Sequence, residues 1–213
     1  MYTLIVGTQN WSSWSLRPYL ALLATGAPFS VEVIRLRQAE SSTKAIRKYS
    51  PAGKVPVLQW GGETVWDSLA ICETLAERHP EAQLWPADSR VRAVARSYAC
   101  EMHSGFPDLR DQLSMDFGRR LDMPELRDAT KMQIARVIAA WEDALNNFGK
   151  DGGFLFGKFS IADCMYAPVV SRFTTFGVPV PEPIKAYMEK IWALDGMQNW
   201  MVVSQREIEH GIA

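Results

Sequence analysis

From Ala52 to Glu77 the sequence reads as strand, tight turn, strand and helix, and that order constrains the fold more than any other stretch. Val55, Val57 and Leu58 form an apolar, β-branched run, Gly61-Gly62 signals a hairpin, and Thr64 to Trp66 supplies the return strand. Leu69, Cys72, Leu75 and Ala76 then share one helical face, which predicts a helix with Ser68 as its N-cap. Pro56 has no N–H to give to a ladder, so it belongs at a sheet edge or in a special turn. A cis Val55–Pro56 bond is one way to meet this, and it would turn the Val55 backbone outward toward a ligand. The helix start beyond it offers free N–H groups and partial positive charge, which suits a carboxylate or phosphate.

Upstream, Tyr2 to Val6 alternates as a short strand, and Trp11-Ser-Ser-Trp-Ser15 leads into a helix carrying Leu16, Leu20 and Leu23. Pro18 is read in the first turn of that helix, and Gly26 with Pro28 ends it. Ser30 to Leu36 alternates again, and Gln38 to Tyr49 is polar and weakly helical. Downstream of a linker at Arg78-His-Pro80 and Leu84-Trp-Pro86 no convincing strand follows. Asp88-Ser89 caps one helix, and Ile134, Ile138, Trp141, Leu145 and Phe148 mark a second. Ser160-Ile-Ala-Asp163 has the spacing of a capping box before a buried run, and a last helix is expected from about Pro183 to Leu194.

With 213 residues, 47% hydrophobic and 22% charged, the chain can bury a full core in one or two domains. A formal charge of −1 gives no reason to expect a nucleic acid or an anionic membrane as partner. Neither a signal peptide nor a membrane-spanning run is read. Cys72, Cys100 and Cys164 are scattered, an odd count without metal-ligand spacing, so no metal and no disulfide frame is expected and a reducing cytoplasm fits. Of the eight tryptophans, most are assigned to the core and some to a ligand cleft or subunit contact.

Gly53-Lys-Val-Pro-Val-Leu58 followed by Asp67-Ser-Leu-Ala-Ile71 resembles the glutathione-binding half of the cytosolic glutathione transferases. The resemblance implies an α/β thioredoxin-like domain over residues 1–80 and an all-helical domain over residues 87–213 that forms the acceptor-substrate pocket. It implies a cis Pro56, with the Val55 backbone pairing with the cysteinyl unit of glutathione. Asp67 and Ser68 would hold the γ-glutamyl end, and Lys54 the glycyl carboxylate. Homodimers are usual in that family, and glutathione serves as co-substrate.

Glutathione chemistry needs a thiolate, and a free thiol with a pKa of about 8.5 is only a few per cent ionised at neutral pH. Lowering that value by about two units takes roughly 2.7 kcal/mol, within reach of a hydroxyl donor, a helix N-terminus and exclusion of water. The Ser-Ser-x-Ser pattern with Arg17 and Leu20-Ala-Leu22 resembles the zeta and theta-like serine classes, which implies Ser12 as the thiol contact with Ser13 close behind. Ser15 is read as a cap. No cysteine stands in this loop, so thiol-disulfide exchange through the enzyme is disfavoured. Trp11, Trp14, His103 and Arg110 are expected at the acceptor pocket, where an electrophilic small molecule would be attacked.

Two rival functions stand beside the transferase. One is a zeta-type isomerase acting on a maleylacetoacetate-like cis double bond; against it, Tyr19, the Ser50-Pro-Ala-Gly53 turn and Asp67-Ser68 depart from that class's pattern. The other is a non-catalytic binding module that keeps the fold alone.

Overall fold

The computed structural model describes residues 1–38 and 40–213; Ala39, within the expected polar stretch Gln38–Tyr49, lies outside the described residues. The sheet half contains β1 (Tyr2–Gly7), α1 (Ser13–Thr25), β2 (Phe29–Ile34), α2 (Glu40–Ile46), β3 (Val57–Trp60), β4 (Glu63–Trp66) and α3 (Ser68–Arg78). Its strands run in the order β2-β1-β3-β4, with β1 parallel to β2 and antiparallel to β3. Period-two alternation sorts the side chains to two faces. Leu4, Val6 and Leu58 join the main core, whereas Ile5 and Val57 meet Ile34 and Ile46 in a smaller cluster on the other face. Gly61 and Gly62 sit at φ 53° and 88°, both in the positive region that a two-residue hairpin turn requires.

The helical half holds α4 (Ser89–Ser104), α5 (Pro107–Gln112), α6 (Asp128–Phe148), α7 (Ile161–Phe176), α8 (Glu182–Trp192) and α9 (Asp195–Glu209). α7 is its axis: every residue from Ile161 to Phe173 is buried. Such a helix reads as apolar all round because neighbours cover each face. Asp163 closes its N-terminus as expected, accepting from the Ser160 N–H at 2.9 Å and the Ser160 hydroxyl at 3.0 Å. Isolated bridges near Phe154 to Lys158 are the only β-pairing of this half among the described residues.

Four expectations need correction. Asp67, not Ser68, caps α3, its Oδ1 accepting from the N–H groups of Leu69 at 2.9 Å and Ala70 at 3.3 Å. The longer, charged acceptor sits one residue earlier and reaches the same orphan donors. Pro18 lies beyond the first turn, because α1 begins at Ser13. The last helix is α9, not α8, and Gly196 lets it approach α1 closely: a Cβ there would stand 2.6 Å from Leu20 Cδ2. Only Trp85, Trp141 and Trp200 of the eight tryptophans are buried, while Trp14 and Trp66 are exposed.

Candidate functional site

A cleft of about 450 Å³ opens where β3, β4 and the start of α3 meet the N-terminus of α1. Its wall gathers Lys54, Val55, Pro56, Asp67 and Ser68 with Trp14 and Trp66. The Val55–Pro56 bond is cis, and Val55 precedes the first residue of β3. The preceding turn is pinned by Gly53 N–H donating to Ser50 O at 3.2 Å, with Gly53 at φ 62°.

Asp67 adopts φ 75°, a region that costs a non-glycine residue about 1–3 kcal/mol. Its contacts hold it there. Besides the two bonds of Oδ1, its carbonyl accepts from Ile71 N–H at 3.0 Å, and Oδ2 lies 3.3 Å from His103 Nε2. Both carboxylate oxygens are therefore engaged within the protein. Ser68, first residue of α3, is 1% exposed and its hydroxyl has no partner among the described residues.

Trp14 is the meeting point of the two halves. The Arg17 guanidinium lies 4.3 Å from its ring centroid and that of Arg110 lies 4.8 Å away, while His103 meets it edge-on at 5.3 Å. Arg110 donates to the Gly105 carbonyl at 2.9 Å and also to Met102. Burial lowers the His103 pKa, aided by Arg17 and Arg110 and opposed by Asp67. Trp11 stands apart from this group, with Arg37 4.1 Å over its ring, and is not part of the cleft wall.

Ser12 and Ser13, just before Trp14 in the chain, also lie outside the wall, each 4% exposed. Ser12 Oγ is 2.7 Å from Ser15 Oγ, which accepts the Gly7 N–H at 3.2 Å. Ser13 Oγ accepts from Arg172 Nη2 at 3.3 Å. The loop ahead of them is clamped by α9. Glu207 accepts the N–H groups of Gln9 at 2.9 Å and Asn10 at 2.8 Å, and the Trp200 indole donates to Gln9 O at 2.7 Å.

Two residues stand out: Arg17, which the sequence placed in the serine pattern without a role, and Arg172, which it did not single out. Arg17 is fully buried, and none of its three guanidinium nitrogens has a partner among the described residues. Desolvation, then Arg110 and Arg172, pushes it down to about 9. A cation three residues before Leu20, on the helix's buried stripe, was the signal available. Arg172 was legible only as a cation just beyond the apolar run Cys164 to Val170.

Lys44, Arg47 and Lys48 are exposed, in keeping with a solvated basic surface. Among the described residues no group of three or more His, Cys, Asp or Glu is placed to hold a metal ion. No helix among them is long and apolar enough to cross a membrane.

Family models for the N-terminal and C-terminal domains of glutathione S-transferase match residues 11–78 and 124–201. The chain is 30% identical to the maleylpyruvate isomerase of Ralstonia sp over 180 residues, 81% of this chain and 84% of the relative. It is 34% identical over 168 residues to a probable maleylacetoacetate isomerase of Caenorhabditis elegans, 78% of this chain and 77% of that one. Among solved structures, a glutathione transferase homologue from Burkholderia gl BGR1 with bound glutathione superposes with a TM-score of 0.73 at 25% identity, over 96% of this chain and 98% of that one. With both halves matched and relatives aligned over most of its length, the chain belongs to the glutathione S-transferase family.

Proposed function

We propose that this protein is a glutathione transferase whose cleft binds glutathione and presents its thiolate to a small electrophile. The observation that carries the reading is the buried Ser68 hydroxyl in the cleft wall, a donor without a partner among the described residues. A buried donor without an acceptor costs about 1–3 kcal/mol. An arriving carboxylate gives the Ser68 hydroxyl its acceptor. In this reading Ser68 and the α3 N-terminus take the γ-glutamyl carboxylate, the Val55 backbone pairs with the cysteinyl unit, and Lys54 at the rim takes the glycyl carboxylate. The sulfur then lies at the start of α1, against Ser12 or Ser13. There it gives its proton to solvent, and the thiolate attacks.

Because both Asp67 oxygens are engaged, the γ-glutamyl ammonium meets a carboxylate already shared with α3 and His103. The homodimer and a cytoplasmic location belong to this proposal, supported by family membership; sedimentation tests the first.

A second reading is glutathione-dependent cis-trans isomerisation. The relatives bearing isomerase names favour it, as does the cluster of Arg17 and Arg110 about Trp14, which suits an anionic substrate. Here the thiolate adds to a double bond, the adduct rotates, and the thiolate leaves, so glutathione is not consumed.

Calorimetric titration with glutathione tests the binding site. Ser68→Ala is expected to weaken binding about tenfold, the equivalent of about 1.4 kcal/mol. Equal affinity in the variant and the wild type contradicts the assignment. Counting glutathione thiols during turnover then separates the two reactions.

A further inference from the structure

Arg172 sits in the middle of α7, 5% exposed, and reaches from the helical half into the sheet half. Its Nη2 donates to Ser13 Oγ at 3.3 Å, while its Nη1 donates to the carbonyls of Arg110 at 3.2 Å and of Leu113. A guanidinium has donors and no acceptor. The Ser13 oxygen is therefore the acceptor in that bond, and its own proton must be given elsewhere. Among the described residues Ser13 makes no hydrogen bond as a side-chain donor. Ser12 differs: it shares a proton with Ser15 across 2.7 Å, and Ser15 is itself tied to Gly7. One of that pair's two protons is spent inside the loop.

We propose that Arg172 is a positioning residue which, by holding a Ser13 lone pair, turns the Ser13 O–H toward the glutathione sulfur and makes Ser13, rather than Ser12, the hydroxyl that holds the thiolate. This rests on the reading above that the sulfur lies at the start of α1. A charged donor also polarises the hydroxyl it binds, which strengthens that hydroxyl as a donor in turn. The charged groups around Arg172 work in the same direction. Arg110 and Arg17 are its charged neighbours and both are cations, and among the described residues no carboxylate acts on Arg172. The link also explains how a residue of the helical half bears on chemistry in the sheet half: α7 carries the guanidinium, and α1 carries the hydroxyl it orients.

The test is the ultraviolet absorbance of the bound glutathione thiolate, titrated with pH. It is run on the wild type, Ser12→Ala, Ser13→Ala, Arg172→Met, Arg172→Lys and the Ser13→Ala/Arg172→Met double variant. Ser13→Ala is expected to raise the bound thiol's pKa by about one unit or more. Arg172→Met is expected to raise it similarly, and the double variant no further than Ser13→Ala alone. Arg172→Lys, which keeps a charged donor, recovers part of the shift and keeps the test decisive if the methionine variant does not fold. Glutathione affinity falls by no more than the lost thiolate stabilisation, at most about tenfold for one unit, because the serine acts on the sulfur alone. The proposal is overturned if Arg172→Met leaves the thiol at its wild-type value while Ser13→Ala moves it, or if the two shifts add. A shift in Ser12→Ala without one in Ser13→Ala overturns the choice of serine and leaves the transferase reading standing. An unshifted thiol in the wild type overturns the reading beneath both.

Discussion

His103 Nε2 stands 3.3 Å from Asp67 Oδ2, joining α4 of the helical half to the residue that caps α3 at the cleft. Burial is the largest influence on this imidazole and lowers its pKa below the ordinary 6.5, with Asp67 pulling the other way. A histidine that binds its proton less readily when folded favours the unfolded chain as it protonates. Its stabilising share is complete above pH 6.5 and is lost as pH falls through the lower folded value. Melting temperature followed between about pH 5 and pH 8 is expected to fall more steeply on the acid side in wild type than in His103→Gln. Parallel curves contradict this.

Asp163 has the opposite slope. Burial outweighs its donors, Leu155 N–H at 3.1 Å and the two from Ser160, and raises it to about 6. The folded chain then holds this proton more tightly than the unfolded one, so the group's contribution declines as pH rises from 3.8 to about 6. Asp163→Asn removes that slope. At neutral pH it is expected to cost about 1–3 kcal/mol, because one facing donor loses its acceptor. Denaturant unfolding at the two pH extremes measures both effects.

Arg17 is the least compensated charge in the core. Replacing a buried ion by an apolar side chain of like volume is often stabilising by about 1–4 kcal/mol. Arg17→Met is therefore expected to raise the unfolding midpoint of the ligand-free protein. A lower midpoint shows that the guanidinium is satisfied in the folded protein without a ligand.

The two bonds from Glu207 tie α9 to the loop ahead of the serines. Glu207→Ala leaves the buried N–H groups of Gln9 and Asn10 without acceptors and is expected to cost about 2–4 kcal/mol. Hydrogen exchange of those two amides is expected to accelerate more than exchange within β1. Unchanged exchange at Gln9 and Asn10 refutes the clamp.

Local signals carried most of the sheet half. Gly61-Gly62, the alternation of β1 and the switch to helical spacing after Trp66 each depend on neighbours a few residues away, and the structure has them where the pattern predicts. The capping pair Ser160 and Asp163 was legible for the same reason. Between α8 and α9 the Asp195-Gly196 pair was a turn signal that went unread, and the Gln198 amide closes the break by donating to Trp192 O at 2.6 Å. The rest of what escaped depends on distant packing. Arg17 entered only as part of the serine pattern and Arg172 was not singled out; their burial follows from the packing of α1 against α3 and α7, which no local spacing reveals. The cleft residues Lys54 to Pro56 and Asp67-Ser68 meet in one wall, but sequence spacing could not show that Ser12 and Ser13 are buried outside it.

The central claim is that glutathione binds in this cleft with its thiol ionised. Calorimetric titration at neutral pH in buffers of different ionisation enthalpy counts the protons released on binding. Free glutathione is mostly protonated there, its thiol pKa being about 8.5, so a bound thiol lowered by about two units predicts release of roughly 0.7 proton per glutathione bound. S-methylglutathione, which has no thiol proton, is expected to bind with no release. Binding of glutathione with no proton released contradicts the claim.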